Sequence, residues 1–292
     1  RRAPDYLQRY EHYALLNWLS RNKDTQSLID KAGFEDLCRE QNLPCANIVA
    51  TASDQGVVIH SGSHLPKTNL FSKFNEQSCG SGEQAWNYEE SSQTWRNDLQ
   101  TYTEPQLLKY FKEKAKGEAI LIQLKLDNAE ALKKFSSGAL CSMRIVTYKL
   151  PGQASKHLRS SLRMPVGQVD IDNFAAGGIA ANIDASGRLT TAIEKYGNYS
   201  YFDVHPYTNT QITGALLENF DDALALATRA HDLLTDLDFV GWDIAHTQHG
   251  LMVIEGNVTW DQGVIQMPAS EPLGKDFCEL YLTAKAASEA TP

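Results

Sequence analysis

The chain has 292 residues and a net charge of −9, with 42% hydrophobic and 22% charged residues, the balance of a soluble globular protein with one large domain or two ordinary ones. The acidic balance excludes a polyanion-binding face as a bulk property, although local basic clusters can still hold a nucleotide. No run of about 18 apolar residues occurs, so no transmembrane helix is expected.

Cys38, Cys45, Cys79, Cys141 and Cys278 are odd in number, scattered and without a C-x-x-C pair. That pattern favours free thiols in a reducing, cytoplasmic setting over a disulfide framework or a zinc site. The chain opens Arg1-Arg2, with neither Met nor an apolar leader core, which reads as a trimmed end.

Residues 5–22, rich in Tyr, Leu and Trp, predict an amphipathic helix docked on the body or on another segment. Asp30 can cap a second helix to about Gln41, with Phe34, Leu37 and Cys38 on one face. Lys31 in its first turn works against the helix dipole; it is either solvated or held by another task. Strands follow at about 46–51 and 56–60, joined by a turn at Asp54-Gln55-Gly56. A third strand, Asn69 to Phe74, runs into a loop containing Gly80 and Gly82. A strand-terminal lysine, Lys73, before a small Gly-containing loop can cradle phosphate, although the spacing is neither a Walker A loop nor a Rossmann fingerprint.

Residues 105–115 predict a Pro-initiated helix with a basic end. Ala119 to Leu124 are nearly all apolar, as in a buried central strand. A short helix is expected at 128–135 and a strand over 142–148, where Arg144 stands among apolar neighbours and calls for an anionic partner, either a structural carboxylate or a phosphate. Residues 157–184 read as further antiparallel strands and contain Asn173 within the stretch DNFAAGG. Residues 195–210 read as an active-site or surface loop that includes His205, a candidate general base or a plain loop residue. Asn219 can cap a helix over 220–236, where His231 borders the apolar face, and a last helix is expected at 274–288. No internal repeat or basic-aromatic stripe is present in the sequence, so no nucleic-acid partner is expected.

Residues 238–257 predict a β-hairpin, two apolar-rich runs around a polar break ending in Gly250. With Gln248 to Gly250 as its loop, Thr247 pairs with Leu251, and Asp243 lies opposite Glu255. Asn257 falls on the same face, and Trp242, Ile244 and Ile254 take the other. Facing carboxylates destabilise a sheet unless neutralised. An all-oxygen set suits Mg²⁺; the alternative is an ordinary hairpin with a wet polar face.

Lys73 with its glycine loop, the apolar strand ending at Gln123, Arg144 in SMRIVT, DNFAAGG at 172–178, GWDIA at 241–245 and IEGN at 254–257 occur in that order. The set resembles the ATP-grasp superfamily, and within it the sugar-transfer-associated family related to α-L-glutamate ligases, over about residues 28–268. The resemblance implies an α+β fold, the ATP-grasp fold, with two α+β subdomains clamping ATP between antiparallel sheets. The implied division is an N-terminal helical segment at 1–26, a lid subdomain at 27–116 and a C-terminal subdomain at 117–292. It further implies Lys31, Lys73, Gly80, Gly82, Gln123 and Leu124 around ATP, with Asp243, Glu255 and Asn257 on Mg²⁺. Arg144, Lys73 and Asn173 stand near the transferred phosphate. Phe74, the sparse glycines and Leu124 depart from the family pattern.

The activity this implies is ATP- and Mg²⁺-dependent joining of a carboxylate to an amine through an acylphosphate, on a sugar-linked or amino-acid substrate. The alternatives are a kinase-like phosphotransferase with the same ATP residues and a non-catalytic ATP-binding partner of a glycosyltransferase. The implied partners are a small carboxylate, a small amine and a glycosyltransferase pathway.

Overall fold

The computed structural model describes residues 5–60, 62–76, 83–136, 138–167, 177–195 and 198–290. Gly80, Gly82 and Asn173 therefore lie outside the described residues. In chain order the elements are α1 (Arg9–Ser20), α2 (Gln26–Ile29), α3 (Lys31–Glu40), β1 (Ile48–Ser53), β2 (Gly56–Ile59), β3 (Leu70–Phe74), β4 (Gln84–Glu89), β5 (Thr94–Arg96), β6 (Thr101–Tyr102), α4 (Glu104–Lys114), β7 (Ile120–Leu124) and α5 (Glu130–Lys133). They continue with β8 (Ser142–Tyr148), β9 (Lys156–Met164), β10 (Ile179–Ile183), β11 (Leu189–Glu194), β12 (Tyr201–Phe202), α6 (Phe220–Leu234), β13 (Phe239–Thr247), β14 (Gly250–Asn257), α7 (Gly263–Ala269) and α8 (Gly274–Ala290).

The strands form two seven-stranded sheets, ordered β2-β1-β7-β3-β4-β5-β6 and β12-β11-β10-β9-β8-β13-β14. Both are antiparallel throughout, so the α+β expectation holds. The most apolar strands are central: β7 lies between β1 and β3, and β8 between β9 and β13. Burial on both faces explains their nearly unbroken apolar runs.

β7 follows the expected boundary at 116/117, and its backbone completes the first sheet. Within the expected lid segment, residues 28–43 pack on the second sheet. Leu28, Phe34, Cys38 and Leu43 are buried with Trp242, Ile244 and Leu226, in the core between the second sheet and α6. The periodicity of α3 gave its apolar face but not which sheet would cover it.

The second sheet is packed on both sides. One face buries Met143, Ile145, Leu162 and Trp242 with α6. The other buries Val146, Ala180, Ile193 and Phe239 beneath α1, α7 and α8. Residues 5–22 thus dock on the body, one of the options their apolar stripe leaves open. The first sheet has a separate core with α4, built on Leu70, Trp86, Leu107, Phe111 and Ile122. The capping box at Thr103 and Gln106 and the early proline start α4 as expected.

Two buried histidines tie these layers together. His231 donates from Nε2 to the Leu237 carbonyl at 2.7 Å, because a carbonyl can only accept. Its Nδ1 then accepts from the Thr147 hydroxyl at 2.6 Å, and the Thr147 oxygen accepts from Trp242 Nε1 at 2.9 Å. The neutral ring closes a hydrogen-bonded chain from α6 through β8 to β13. His12 packs edge-on against Trp260 and Phe277, and neither ring nitrogen has a hydrogen-bond partner among the described residues. Burial pulls both pKa values down to about 4.

Folding keeps both rings neutral down to about pH 4, whereas the unfolded chain protonates them near 6.5. The stability they hold is therefore complete above pH 6.5 and is lost as pH falls from 6.5 toward 4, by up to ~3 kcal/mol per histidine. Urea unfolding at pH 7.5 and pH 5.0 is expected to give a clearly lower midpoint at pH 5.0. Equal midpoints would mean that the two rings are protonated in the folded state as readily as in the unfolded chain.

Candidate functional site

The hairpin sets the geometry of the site. Its turn is one residue shorter than the sequence suggests, since Thr247 pairs with Gly250 and not with Leu251. An uninterrupted ladder from that turn would put Asp243 opposite Ile254. A bulge intervenes: Ile244 pairs with Val253 and Asp243 with Glu255, leaving Ile254 as the extra residue. The expected opposition of the two carboxylates is present, by a different route.

That pairing continues across the sheet. Glu255 faces Asp243, Asp243 faces Arg144, Arg144 faces Ser161 and Ser161 faces Asn182. Residues directly opposite in antiparallel strands share a face. Five polar side chains therefore form one row over five strands, on the face otherwise covered by α1, α7 and α8.

Asp243 is 1% exposed and accepts from two arginines. Arg144 donates from Nε to Oδ1 at 2.5 Å and from Nη2 to Oδ2 at 3.1 Å; Arg163 donates from Nη2 to Oδ2 at 2.9 Å. Burial pushes the Asp243 pKa up, but the two guanidiniums outweigh it and hold the group down at about 2. Glu255 is shifted the opposite way. Burial comes first, then the Asp243 charge and a hydrogen bond to Asp243, and Lys73 and Arg144 offset only part of the rise. The pair thus divides into an ionised Asp243 and a Glu255 inclined to keep its proton, as expected of carboxylates in contact. Asn257 donates from Nδ2 to Glu255 Oε1 and to the Gly241 carbonyl, each at 3.2 Å, which leaves its own carbonyl oxygen as a donor atom for a cation.

Asp243, Glu255 and Asn257 bring side-chain oxygens together on the hairpin, a donor set whose chemistry would fit a hard divalent ion. Among the described residues, no group of three His, Cys, Asp or Glu side chains could hold a metal; the carboxamide is what makes this set three.

The first sheet brings Lys73 to the same place. Lys73 pairs with Leu121 and Phe71 with Gln123, so Lys73 and Gln123 share a face, opposite to the one that carries the core residue Leu70. Lys73 is buried. Desolvation lowers its pKa first; Glu255 acts against that, and Lys31 adds to it. Lys31 extends from α3 and donates from Nζ to the Asn75 carbonyl at 3.1 Å, just past the end of β3. The Asp30 carboxylate, expected to cap α3, instead accepts from Asn75 Nδ2 at 2.9 Å, and no side-chain cap bond forms. The tie between α3 and β3 takes the place of the cap. Gln123 is buried, and Leu124 donates from its backbone N–H to the Asn47 carbonyl. Lys31, Lys73, Arg144, Asp243 and Glu255 are therefore linked by contact or charge, with Asn257 bonded to Glu255. Gln123 lies on the Lys73 face, and Leu124 follows it along β7.

His205 is engaged on both ring nitrogens: Nε2 meets the Pro165 carbonyl at 3.0 Å, and Nδ1 accepts the backbone N–H groups of Tyr207 and Thr208. It organises a loop and offers no free base. Arg163, Ser161 and Asn182 were missed in the sequence. The signal for the first two is the alternation of Arg159, Ser161 and Arg163 against Leu162 and Met164. Gly241 was noticed only as part of a motif. A Cβ there would lie 2.5 Å from Trp260 Cβ and 3.3 Å from Arg144 Cδ, so glycine lets Trp260 seat on β13 beside the arginine.

Residues 15–277 match the sequence profile of a family described as sugar-transfer associated ATP-grasp. No curated protein matches the chain. Among solved structures it is similar to D-alanine–D-alanine ligase from Bacillus anthracis, at 11% identity over 91% of this chain and 70% of that one, with a TM-score of 0.48. D-alanyl-alanine synthetase A from Vibrio cholerae matches at 10% identity over 88% and 65%, with a TM-score of 0.49. N5-carboxyaminoimidazole synthetase from Staphylococcus aureus, complexed with ADP, matches at 6% over 79% and 44%, with a TM-score of 0.42.

The two acids are expected to respond differently to substitution. Asp243→Ala strands two guanidiniums in a buried setting and should lower stability by ~3–5 kcal/mol. Glu255→Gln keeps the shape and hydrogen-bonding capacity of a group inclined to be neutral, and should change stability by less than about 1 kcal/mol. Thermal unfolding of both variants checks this; equal losses would mean that Glu255 is ionised in the folded protein.

Proposed function

The chain belongs to the sugar-transfer associated ATP-grasp family, and from that premise we propose that it is an ATP- and Mg²⁺-dependent ligase. It joins a carboxylate to an amine, with ATP entering as a substrate and leaving as ADP. The observation that carries this reading is the polar row of Glu255, Asp243 and Arg144, with Lys73 of the other sheet near enough for the Glu255 charge to act on it.

The charge balance of the row supports phosphate chemistry. Arg144, Arg163 and Lys73 bring three basic side chains to Asp243 and Glu255. Asp243, Glu255 and Asn257 would hold Mg²⁺, which when bound would supply further neutralisation of phosphate charge. Phosphoryl transfer asks for positioning and charge stabilisation more than for covalent help from the protein. The substrate carboxylate oxygen attacks the γ-phosphorus and the bond to the β,γ-bridging oxygen breaks, giving ADP and an acylphosphate. The amine nitrogen then attacks the acyl carbon, loses a proton and expels inorganic phosphate. Lys73 and Arg144 lie on the phosphate path, and Gln123 with Leu124 lies against the adenine. Lys31, joined to the end of β3, completes the nucleotide side. Gly80, Gly82 and Asn173 have the same proposed duties at the phosphates.

Arg163 does two things in this scheme. It supports Asp243 from the side opposite Glu255, and with Ser142 accepting at 2.6 Å from Nη2 it is fixed in place. The family description supports a substrate from sugar transfer, sugar-linked or amino-acid in kind, and a pathway shared with a glycosyltransferase.

The test is turnover of ATP and Mg²⁺ with pooled amino acids and with uronic and amino sugars, reading ADP and free phosphate separately. Equal release of both, dependent on an amine and a carboxylate together and reduced by at least about 100-fold in Glu255→Gln, is the expected result. ADP without free phosphate would replace this reading with kinase-like transfer to a hydroxyl. ATP binding without turnover in any pool would favour a non-catalytic partner of a glycosyltransferase.

A further inference from the structure

Cys38 and Cys45 have six residues between them. Cys38 lies on α3 and is fully buried in the core between the second sheet and α6, while Cys45 is half-buried beyond the end of the helix. The loop that joins them is held in place. The Leu43 N–H donates to the Cys38 carbonyl at 2.8 Å, and Arg229 of α6 donates to the carbonyls of Gln41 and Asn42 at 3.3 and 3.5 Å. The chain therefore folds back on α3, and Cys45 Sγ donates to the Glu35 carbonyl at 3.9 Å. Residues three apart on a helix share a face, so this contact sets the Cys45 sulfur beside the Cys38 side chain. The two thiols hydrogen-bond to each other.

The two members are not equivalent. The Cys38 thiol donates to the Cys45 sulfur; that bond pulls the Cys45 pKa down, against burial and the Glu35 charge, and together with burial pushes that of Cys38 up. Cys45 is thus the first to ionise. It is also the one in reach of solvent, beside the exposed Asn42 and Pro44, whereas Cys38 has no exposed surface. A solvent-reached sulfur that ionises first, with a sheltered thiol against it, has the form of a redox-sensing cysteine and its resolving partner. The pair also stands at a joint. Cys45 bridges Val253 of β14, and the Val253 N–H donates to the Pro44 carbonyl at 2.8 Å. The cysteines thus connect α3, which carries Lys31, to β14, which carries Glu255 and Asn257.

We propose that Cys45 is a site of oxidation by hydroperoxides, and that Cys38 captures the oxidised sulfur in a disulfide that clamps α3 to the edge of β14. In the first step the Cys45 thiolate attacks one peroxide oxygen. An S–O bond forms, the O–O bond breaks, and the leaving hydroxide takes up a proton as water. In the second step the Cys38 sulfur attacks the Cys45 sulfenic acid. An S–S bond forms, the S–O bond breaks, and the departing hydroxide leaves as water with the Cys38 proton. Two thiols are oxidised and one hydroperoxide is reduced. Sulfurs that already share a hydrogen bond reach the S–S distance of about 2.05 Å by a small side-chain turn. The proposal stands on the thiol pair and is independent of the ligase reading.

The test adds hydrogen peroxide in small excess to the whole reduced chain and follows each cysteine by peptide mass mapping. A loss of two hydrogens, mapped to a Cys38–Cys45 bond, is expected in the unsubstituted chain. Cys45 should react at least about tenfold faster than Cys278, although Cys278 is the more exposed thiol, because thiolate character and not exposure alone sets the rate. In Cys38→Ser the oxygen should stay on Cys45 and be trapped by dimedone; in Cys45→Ser, Cys38 should stay reduced. Amide hydrogen exchange at Leu43 and Val253 should slow at least about threefold in the oxidised chain, as a clamp on this joint requires. A bond from Cys45 to another cysteine, Cys278 oxidised as fast as Cys45, or unchanged exchange at both amides overturns the proposal. The mapping and the exchange are read on the unsubstituted chain, so the outcome does not depend on either variant folding.

Discussion

A buried carboxylate held by two arginines is the constraint around which the second sheet is arranged. Asp243 is buried on β13, the strand next to the sheet's edge strand β14, where a bare charge would cost many kcal/mol. Arg144 arrives from one neighbouring strand and Arg163 from the strand beyond it. Each guanidinium is fixed by the carboxylate it neutralises. Glu255 stands on the other side of Asp243, and burial with the Asp243 charge inclines it to keep a proton.

The packing serves this row. Gly241 omits a side chain so that Trp260 can lie on the strand beside Arg144. Gly256 does the same one strand away, where a Cβ would come within 2.9 Å of Trp242 and 3.2 Å of Leu28. Gly241 thus brings apolar cover beside the charged row, and Gly256 closes the packing on the opposite face of the sheet. Helix α1 extends that cover through His12, and α3 ties the far sheet to the body through Lys31 and Asn75.

The parts of this design that depend on type and order of residues were legible in the sequence. The carboxylates, Arg144, Lys73 and the apolar central strands have compositional or periodic signals. What stayed hidden depends on tertiary choice. The apolar stripe of α3 cannot say which sheet will cover it, and it chose the body. β7 reads as a buried strand, but nothing in its five residues names its neighbours, β1 and β3. Asp30 carries the signature of a cap, yet Asn75 competes for its carboxylate from 45 residues away. Arg163 was hidden because one more arginine on an alternating strand looks like a solvated face until Asp243 is found beside it.

The bulge at Ile254 bears on how sequences of this kind should be compared. The two acids face each other because a short turn and one extra residue cancel in parity. A relative could reach the same opposition with a turn one residue longer and a regular ladder. Aligned residue by residue, two such chains would show one unmatched position in the turn and a second, opposite one just before the glutamate. A comparison that allows only a single gap would then put an aliphatic residue under the acid and score the site as lost. Matching by strand partner instead of by chain position would recover it.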